Sequence, residues 1–134
     1  MHRTRVIPSL LLKDRGLVKT VKFKDPKYIG DPINTVKIFN DKEVDELVLL
    51  DITATIDQRN PNFELISEIA SECFMPLAYG GGINCIEDIK QILSLGVEKV
   101  VINSYAFDNP GFIREAAIRF GSQSIVVSID VKKN

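Results

Sequence analysis

The stretch MPLAYGGGINCIEDIKQILSLGVEKVVIN, residues 75–103, decides the fold. Residues 75–79 form a short apolar run that closes in Gly80-Gly81-Gly82. Residues 87–95 then carry apolar side chains at helical spacing, and Gly96 follows where a helix can stop in a left-handed conformation. Residues 98–102 open with two charges and continue Val-Val-Ile, as a strand buried on both faces does. Strand, helix, strand is the unit of an α/β fold, because parallel strands need a long crossover.

The same cycle recurs on both sides. Residues 46–51 (ELVLLD) read as a buried strand ending in Asp51, and 53–60 as a polar loop. Pro61 then opens a helix with Leu65, Ile66 and Ile69 inward, ending near Ser71. Downstream, Asn109-Pro110 starts a helix that ends at Phe120 before Gly121, and SIVVSI (124–129) is a strand ending in Asp130. Upstream, 6–12 (VIPSLLL) is the first strand. Residues 17–23 alternate apolar and basic side chains after a turn at 14–16, which predicts a basic hairpin insert over about 13–28. Gly30-Asp31-Pro32 starts a helix, with Asp31 as N-cap, Pro32 at its first position and an end near Glu43. Strands thus begin near residues 5, 46, 75, 98 and 124, giving four βα units and a fifth strand. Periodicity fits an open parallel sheet and part of a barrel equally well.

Composition bounds the function. The 134 residues are 45% hydrophobic and 26% charged, without Trp, which describes a globular chain of one domain. A net charge of -1 excludes a broad basic face for nucleic acid. Cys73, Cys85 and the single His2 supply neither a disulfide framework nor a zinc ligand set, so no metal or cofactor is expected and a reducing, cytoplasmic compartment fits. No apolar run is long enough for a membrane span, and the first residues lack a signal-peptide core. Charge is uneven, however. Residues 1–30 hold eight Lys or Arg against two acidic residues, and the rest of the chain nine against 16. A basic segment on an acidic body fits a phosphate-bearing ligand or an acidic partner, or simply a solvated hairpin.

Polar and glycine residues gather at the strand C-termini, the rim where α/β proteins bind ligands. Asp51 and Asp130 are candidates for proton transfer there, with helix N-capping as the plainer alternative. Gly81 and Gly82 can offer bare backbone amides to a phosphate at a helix start, or can mark only a tight turn. Asn103 and Ser104 add an amide and a hydroxyl at the next strand end. Lys19, in the basic hairpin, can close over an anionic substrate. At the opposite rim, Arg5, Glu46 and Lys99 begin three strands. They fit a salt-bridged stability network or a gated opening for a small ligand.

Taken together, Val-Ile-Pro (6–8), Gly-Asp-Pro (30–32), DELVLLDITA (45–54), GGGI (80–83), KVVINS (99–104), FGSQ (120–123) and VSID (127–130) resemble the cyclase subunit of imidazole glycerol phosphate synthase. The resemblance runs through the whole chain and corresponds to the first half of that family's (βα)8 barrel, which needs about 250 residues. It implies a glutamine amidotransferase partner whose ammonia enters at the barrel's bottom, crosses its centre and meets a phosphorylated substrate at the top. It implies an acid–base role for Asp130, a phosphate site at Gly82, Asn103 and Ser104, and a mobile-loop role for Lys19. Asp51 and Gln123 match polar residues near the central cavity, Arg5, Glu46 and Lys99 match the ammonia gate, and Glu98 matches an acidic residue that meets the amidotransferase. The family's other catalytic aspartate corresponds here to Leu11, which cannot move a proton. That departure, with TRVIP (4–8), LLLKD (10–14) and GLVKTVKFK (16–24), resembles a divergent branch in surface-polysaccharide pathways, in which ammonia converts an acetamido group of a nucleotide-linked sugar to acetamidino. A histidine-pathway cyclase is the first alternative. A non-catalytic half-barrel that pairs with itself or with a missing half is the second, since an open sheet leaves apolar edges.

Overall fold

The computed structural model describes residues 5–13, 16–21, 24–56, 60–102 and 109–128. Along the chain run β1 (Ser9–Lys13), β2 (Gly16–Val21), β3 (Lys24–Gly30), α1 (Pro32–Asp41), β4 (Leu47–Asp51), α2 (Ile52–Ile56), α3 (Phe63–Glu72), β5 (Leu77–Gly80), α4 (Ile86–Ser94), β6 (Lys99–Ile102), α5 (Pro110–Phe120) and β7 (Ile125–Val127). A single 3-10 turn, Ser122–Ser124, leads into β7. The strands form one sheet in the order β3-β2-β1-β4-β5-β6-β7. From β1 to β7 the five neighbours are parallel, whereas β2 and β3 extend the β1 edge as antiparallel strands. The chain is therefore α/β, with the strand order of the first half of a (βα)8 barrel.

The helix starts follow their caps. Asp31 accepts the Asn34 N–H ahead of Pro32, and Asn109 Oδ1 accepts the Phe112 N–H ahead of Pro110. Gly96 and Gly121 follow α4 and α5 at φ 106° and 90°, a region in which any Cβ is strained. One face of the sheet is covered: Leu12, Leu49, Tyr79, Val100 and Ile102 pack against Val36, Ile66, Ile69, Ile89, Ile92 and Phe112. Alternation leaves Val48 and Leu50 of β4 on the other face, where they are only half-buried. That second face is lined by in-register rows. Ser9, Val48, Ala78 and Lys99 form one row; Leu11, Leu50, Gly80, Val101 and Val126 form the next.

Several boundaries differ from those expected. The first strand starts at Ser9, not residue 6, because the Val6 backbone is used by Asp45 and Pro8 has no N–H to give. The expected polar loop at 53–60 begins instead with the short helix α2. The helix expected from Pro61 starts at Phe63, where Asn62 Oδ1 accepts the Leu65 N–H and takes the cap. The first helix stops at Asp41, and Glu43 bends away at φ 54°. In the hairpin insert the second strand is joined by a third, reaching Gly30, with register shifts on both sides of Lys19.

Candidate functional site

The C-terminal rim is built around Asp51. Its carboxylate is 3% exposed, and Oδ1 accepts from the Thr53 N–H (3.0 Å), the Thr53 hydroxyl (2.9 Å) and the Ala54 N–H (3.0 Å). These bonds satisfy the first amides of α2, so Asp51 caps that helix. Among the described residues Oδ2 accepts no hydrogen bond. By alternation Asp51 shares the helix-covered face with Leu47 and Leu49. Thr53 went unmarked in the sequence, although Asp-x-Thr after an apolar strand is the signature of such a cap.

The glycine turn is pressed onto this corner. A Cβ at Gly81, whose φ is 129°, would stand 2.5 Å from the Asp51 carbonyl oxygen and 2.9 Å from its Cβ. One at Gly80 would stand 2.9 Å from Val101 Cβ and 3.0 Å from Leu50 Cδ2. Close packing therefore explains both glycines. Gly82, at φ 70°, lies in the left-handed region that favours glycine. The helix that follows answers its own N-terminal dipole: α4 carries Glu87 and Asp88 in its first turn, and Asp88 Oδ2 accepts the Asn84 N–H at 3.3 Å. Two carboxylates there offset the helix dipole and disfavour an anion at the helix end itself. Asn103, Ser104 and Asp130 lie outside the described residues. Lys19 lies in β2, in backbone register with Lys27 of β3.

At the N-terminal rim the three charged strand starts meet. Glu46 Oε1 lies 3.1 Å from Arg5 Nη2 and 3.2 Å from Lys99 Nζ, so one carboxylate oxygen serves two cations. Glu46 is largely covered, while Arg5 is well exposed. Pairs this close to water contribute about 0–1 kcal/mol each, too little for stability to be their main product. Glu98 is exposed beside them, its N–H donating to the Leu77 carbonyl at 2.8 Å.

Gln123 is placed differently from the expectation that grouped it with the substrate residues. It precedes β7 and so lies at the N-terminal end, exposed, with its amide folded over Gly121. Its distance from Asp51 along the strands separates the two. Leu11 stands between Val18 and Leu50 in register and continues the apolar row described above. Cys73 packs against Met75, with Sγ donating to the Met75 carbonyl at 3.2 Å, and burial pushes its thiol above the ordinary value. Cys85 precedes α4 without capping it through its side chain. Among the described residues no helix is long and apolar enough to cross a membrane.

Comparison with known proteins gives the same framework. The family described as "Histidine biosynthesis protein" matches residues 5–134. A Pseudomonas aeruginosa protein named "Putative imidazole glycerol phosphate synthase subunit hisF2" is 64% identical over 133 residues, covering 99% of this chain and 53% of its own. A Vibrio vulnificus protein named with hisF3 in the same form is 59% identical over 99% of this chain and 51% of its own. An Exiguobacterium protein named "Imidazole glycerol phosphate synthase subunit HisF" is 46% identical over 98% of this chain and 52% of its own. The chain spans about half the length of the curated relatives it matches. With a parallel βα sheet and a family match across nearly all of its residues, the chain belongs to the histidine biosynthesis protein family.

Proposed function

We propose that this chain is the N-terminal half of an ammonia-using synthase subunit that works with a glutamine amidotransferase on a phosphate-bearing substrate. The observation that carries the reading is the second face of the sheet. At its N-terminal end two cations share Glu46, and beyond them Val48 and Ala78, then Leu11, Leu50 and Val101, line an apolar path toward the C-terminal rim. Ammonia must travel neutral, and apolar walls disfavour its ammonium form and the water that would protonate it. Arg5, Glu46 and Lys99 gate that path; Glu98 meets the amidotransferase. At the other rim Gly82, Asn103, Ser104 and Lys19 hold phosphate, and Asp130 moves protons. The protein is cytoplasmic in this reading.

Leu11 favours one substrate class over the other. Cyclisation in the histidine pathway uses a second acid–base group at this position, and losing such a group slows a reaction by about 10²–10⁴-fold. Amidination is the alternative use of ammonia at such a site. Ammonia nitrogen attacks the carbonyl carbon of an acetamido group, the C–O bond breaks, the oxygen leaves as water, and one carboxylate can serve these proton movements. The favoured substrate is therefore a nucleotide-linked acetamido sugar bound for surface polysaccharide. The fall from 64% identity with the Pseudomonas relative to 46% with the Exiguobacterium one supports a branch apart from the latter.

A true cyclase is the second reading, favoured by the printed names of the relatives. The full-length protein, assayed with ammonium or with glutamine and the amidotransferase, separates the two. Amidination predicts turnover of the acetamido sugar and almost none of the ribulosyl aminoimidazole carboxamide nucleotide. Family-level turnover of the ribulosyl substrate overturns it. Asp130→Asn should abolish turnover and leave substrate binding largely intact.

A further inference from the structure

Tyr79 is the largest of the fully buried side chains described. Its register neighbours across the sheet are Leu49 on β4 and Val100 on β6, so it occupies a core position that an apolar side chain would fill. A phenol there brings a hydroxyl that has to find a partner. It finds one past the end of its own strand: the Tyr79 O–H donates to the Gly81 carbonyl at 3.1 Å.

The bond falls on a peptide whose direction matters. The carbonyl of Gly81 and the N–H of Gly82 belong to one planar, trans unit. The two groups point in opposite directions, so whatever fixes the carbonyl aims the amide. Between two glycines such a peptide can flip end over end at little steric cost, because neither residue has a Cβ to resist either sign of φ. One orientation offers an N–H dipole and the other a carbonyl dipole to the same place, with opposite effects on an anion. Two contacts select between them. The Gly81 Cα is seated against the Asp51 backbone, too close for a Cβ, and the Tyr79 hydroxyl holds the Gly81 carbonyl. With both in place Gly81 stands at φ 129° and Gly82 at φ 70°, and the Gly82 N–H points away from the phenol oxygen.

We infer that the Tyr79 hydroxyl is a positioning group for phosphate at this turn: it holds the Gly81–Gly82 peptide so that its N–H, and not its carbonyl, is presented to the anion. The inference rests on the reading above that Gly82 holds phosphate, and adds the side chain that aims it. The helix behind the turn is poorly suited to supply the attraction, since Glu87 and Asp88 offset its dipole. An anion at this corner therefore depends on loop amides, and their aim decides how well it is held.

The test uses the full-length protein, isotope-labelled at glycine nitrogen and titrated with inorganic phosphate against chloride at matched ionic strength. NMR follows the Gly82 amide at a temperature where every variant is folded. Wild-type protein should show a saturable shift of that resonance. Tyr79→Phe keeps the ring and removes the hydroxyl, and should weaken phosphate binding by about fivefold or more. Ile69→Val, in the core on α3, should lower the thermal midpoint and change phosphate affinity by less than about twofold. If Gly82 responds in the wild type and Tyr79→Phe binds phosphate equally well, the positioning role is overturned while the phosphate reading stands. If Ile69→Val weakens binding as much as Tyr79→Phe does, general loosening explains the loss and the role is again overturned. If the wild-type Gly82 amide responds no more to phosphate than to chloride, both readings fall.

Discussion

The two ends of the parallel sheet solve opposite problems. At the C-terminal end Asp51 turns inward: its Oδ1 takes three donors from the next turn of its own chain, and Gly81 lies against its backbone. At the N-terminal end the charged groups share one oxygen in a half-wet environment, and Val6, Ile7 and Phe74 stand exposed on the segments that lead into β1 and β5. The first end is satisfied by the protein itself. The second leaves polar and apolar surface facing outward. The difference shows that a conspicuous carboxylate at the strand C-termini can be satisfied by its own chain, while charged groups at the other end share a single oxygen near water.

Mutations can break this contrast, and the largest effect is expected at the inward end. Gly81→Ala forces a Cβ into the Asp51 backbone at positive φ and should destabilise the fold by about 3 kcal/mol or more, read by urea unfolding. A wild-type midpoint would show that the turn yields easily and that close packing is not what demands glycine. Asp51→Ala leaves the start of α2 uncapped and should cost about 2 kcal/mol, with Asp51→Asn recovering much of it because an amide oxygen can still accept. If Asn and Ala variants melt alike, the charge of Asp51 matters more than its cap.

The outward end should respond weakly in stability. Glu46→Gln should shift unfolding by less than about 1 kcal/mol, because the pair is partly exposed and screened. A larger loss would make the triad a structural network and remove the contrast. The smallest test concerns the cysteines. Burial raises the Cys73 pKa, so less thiolate is present at neutral pH, and iodoacetamide should modify exposed Cys85 first; Cys73 should react faster as pH rises. Equal rates at neutral pH, followed by mass spectrometry of the folded protein, would show that the turn carrying Phe74 opens freely.

Much of this was legible in the chain because the signals are local. Apolar runs at a regular interval, Asp31 before Pro32 and Asn109 before Pro110 announce parallel βα units, since capping and periodicity depend on residues a few positions apart. The charged strand starts were also visible, and alternation places Leu11 on the face opposite Leu12. What tertiary structure alone decided involves partners far apart in sequence. Gln123 reads as a companion of Asp51 until the sheet puts it at the other end. Gly80 and Gly81 read as a tight turn or a phosphate cradle, and only the fold shows β4 and β6 pressing on them so closely that neither has room for a Cβ. Phe74 draws no notice in the sequence, and only the fold shows Asn40, 34 residues earlier, bonding its backbone while the ring stays exposed. Sequence by itself determined the order of elements and the chemistry available at each strand end, because both follow from short-range backbone preferences. Only the packed sheet decided which of those groups satisfy one another and which are left facing out, because that depends on contacts across strands.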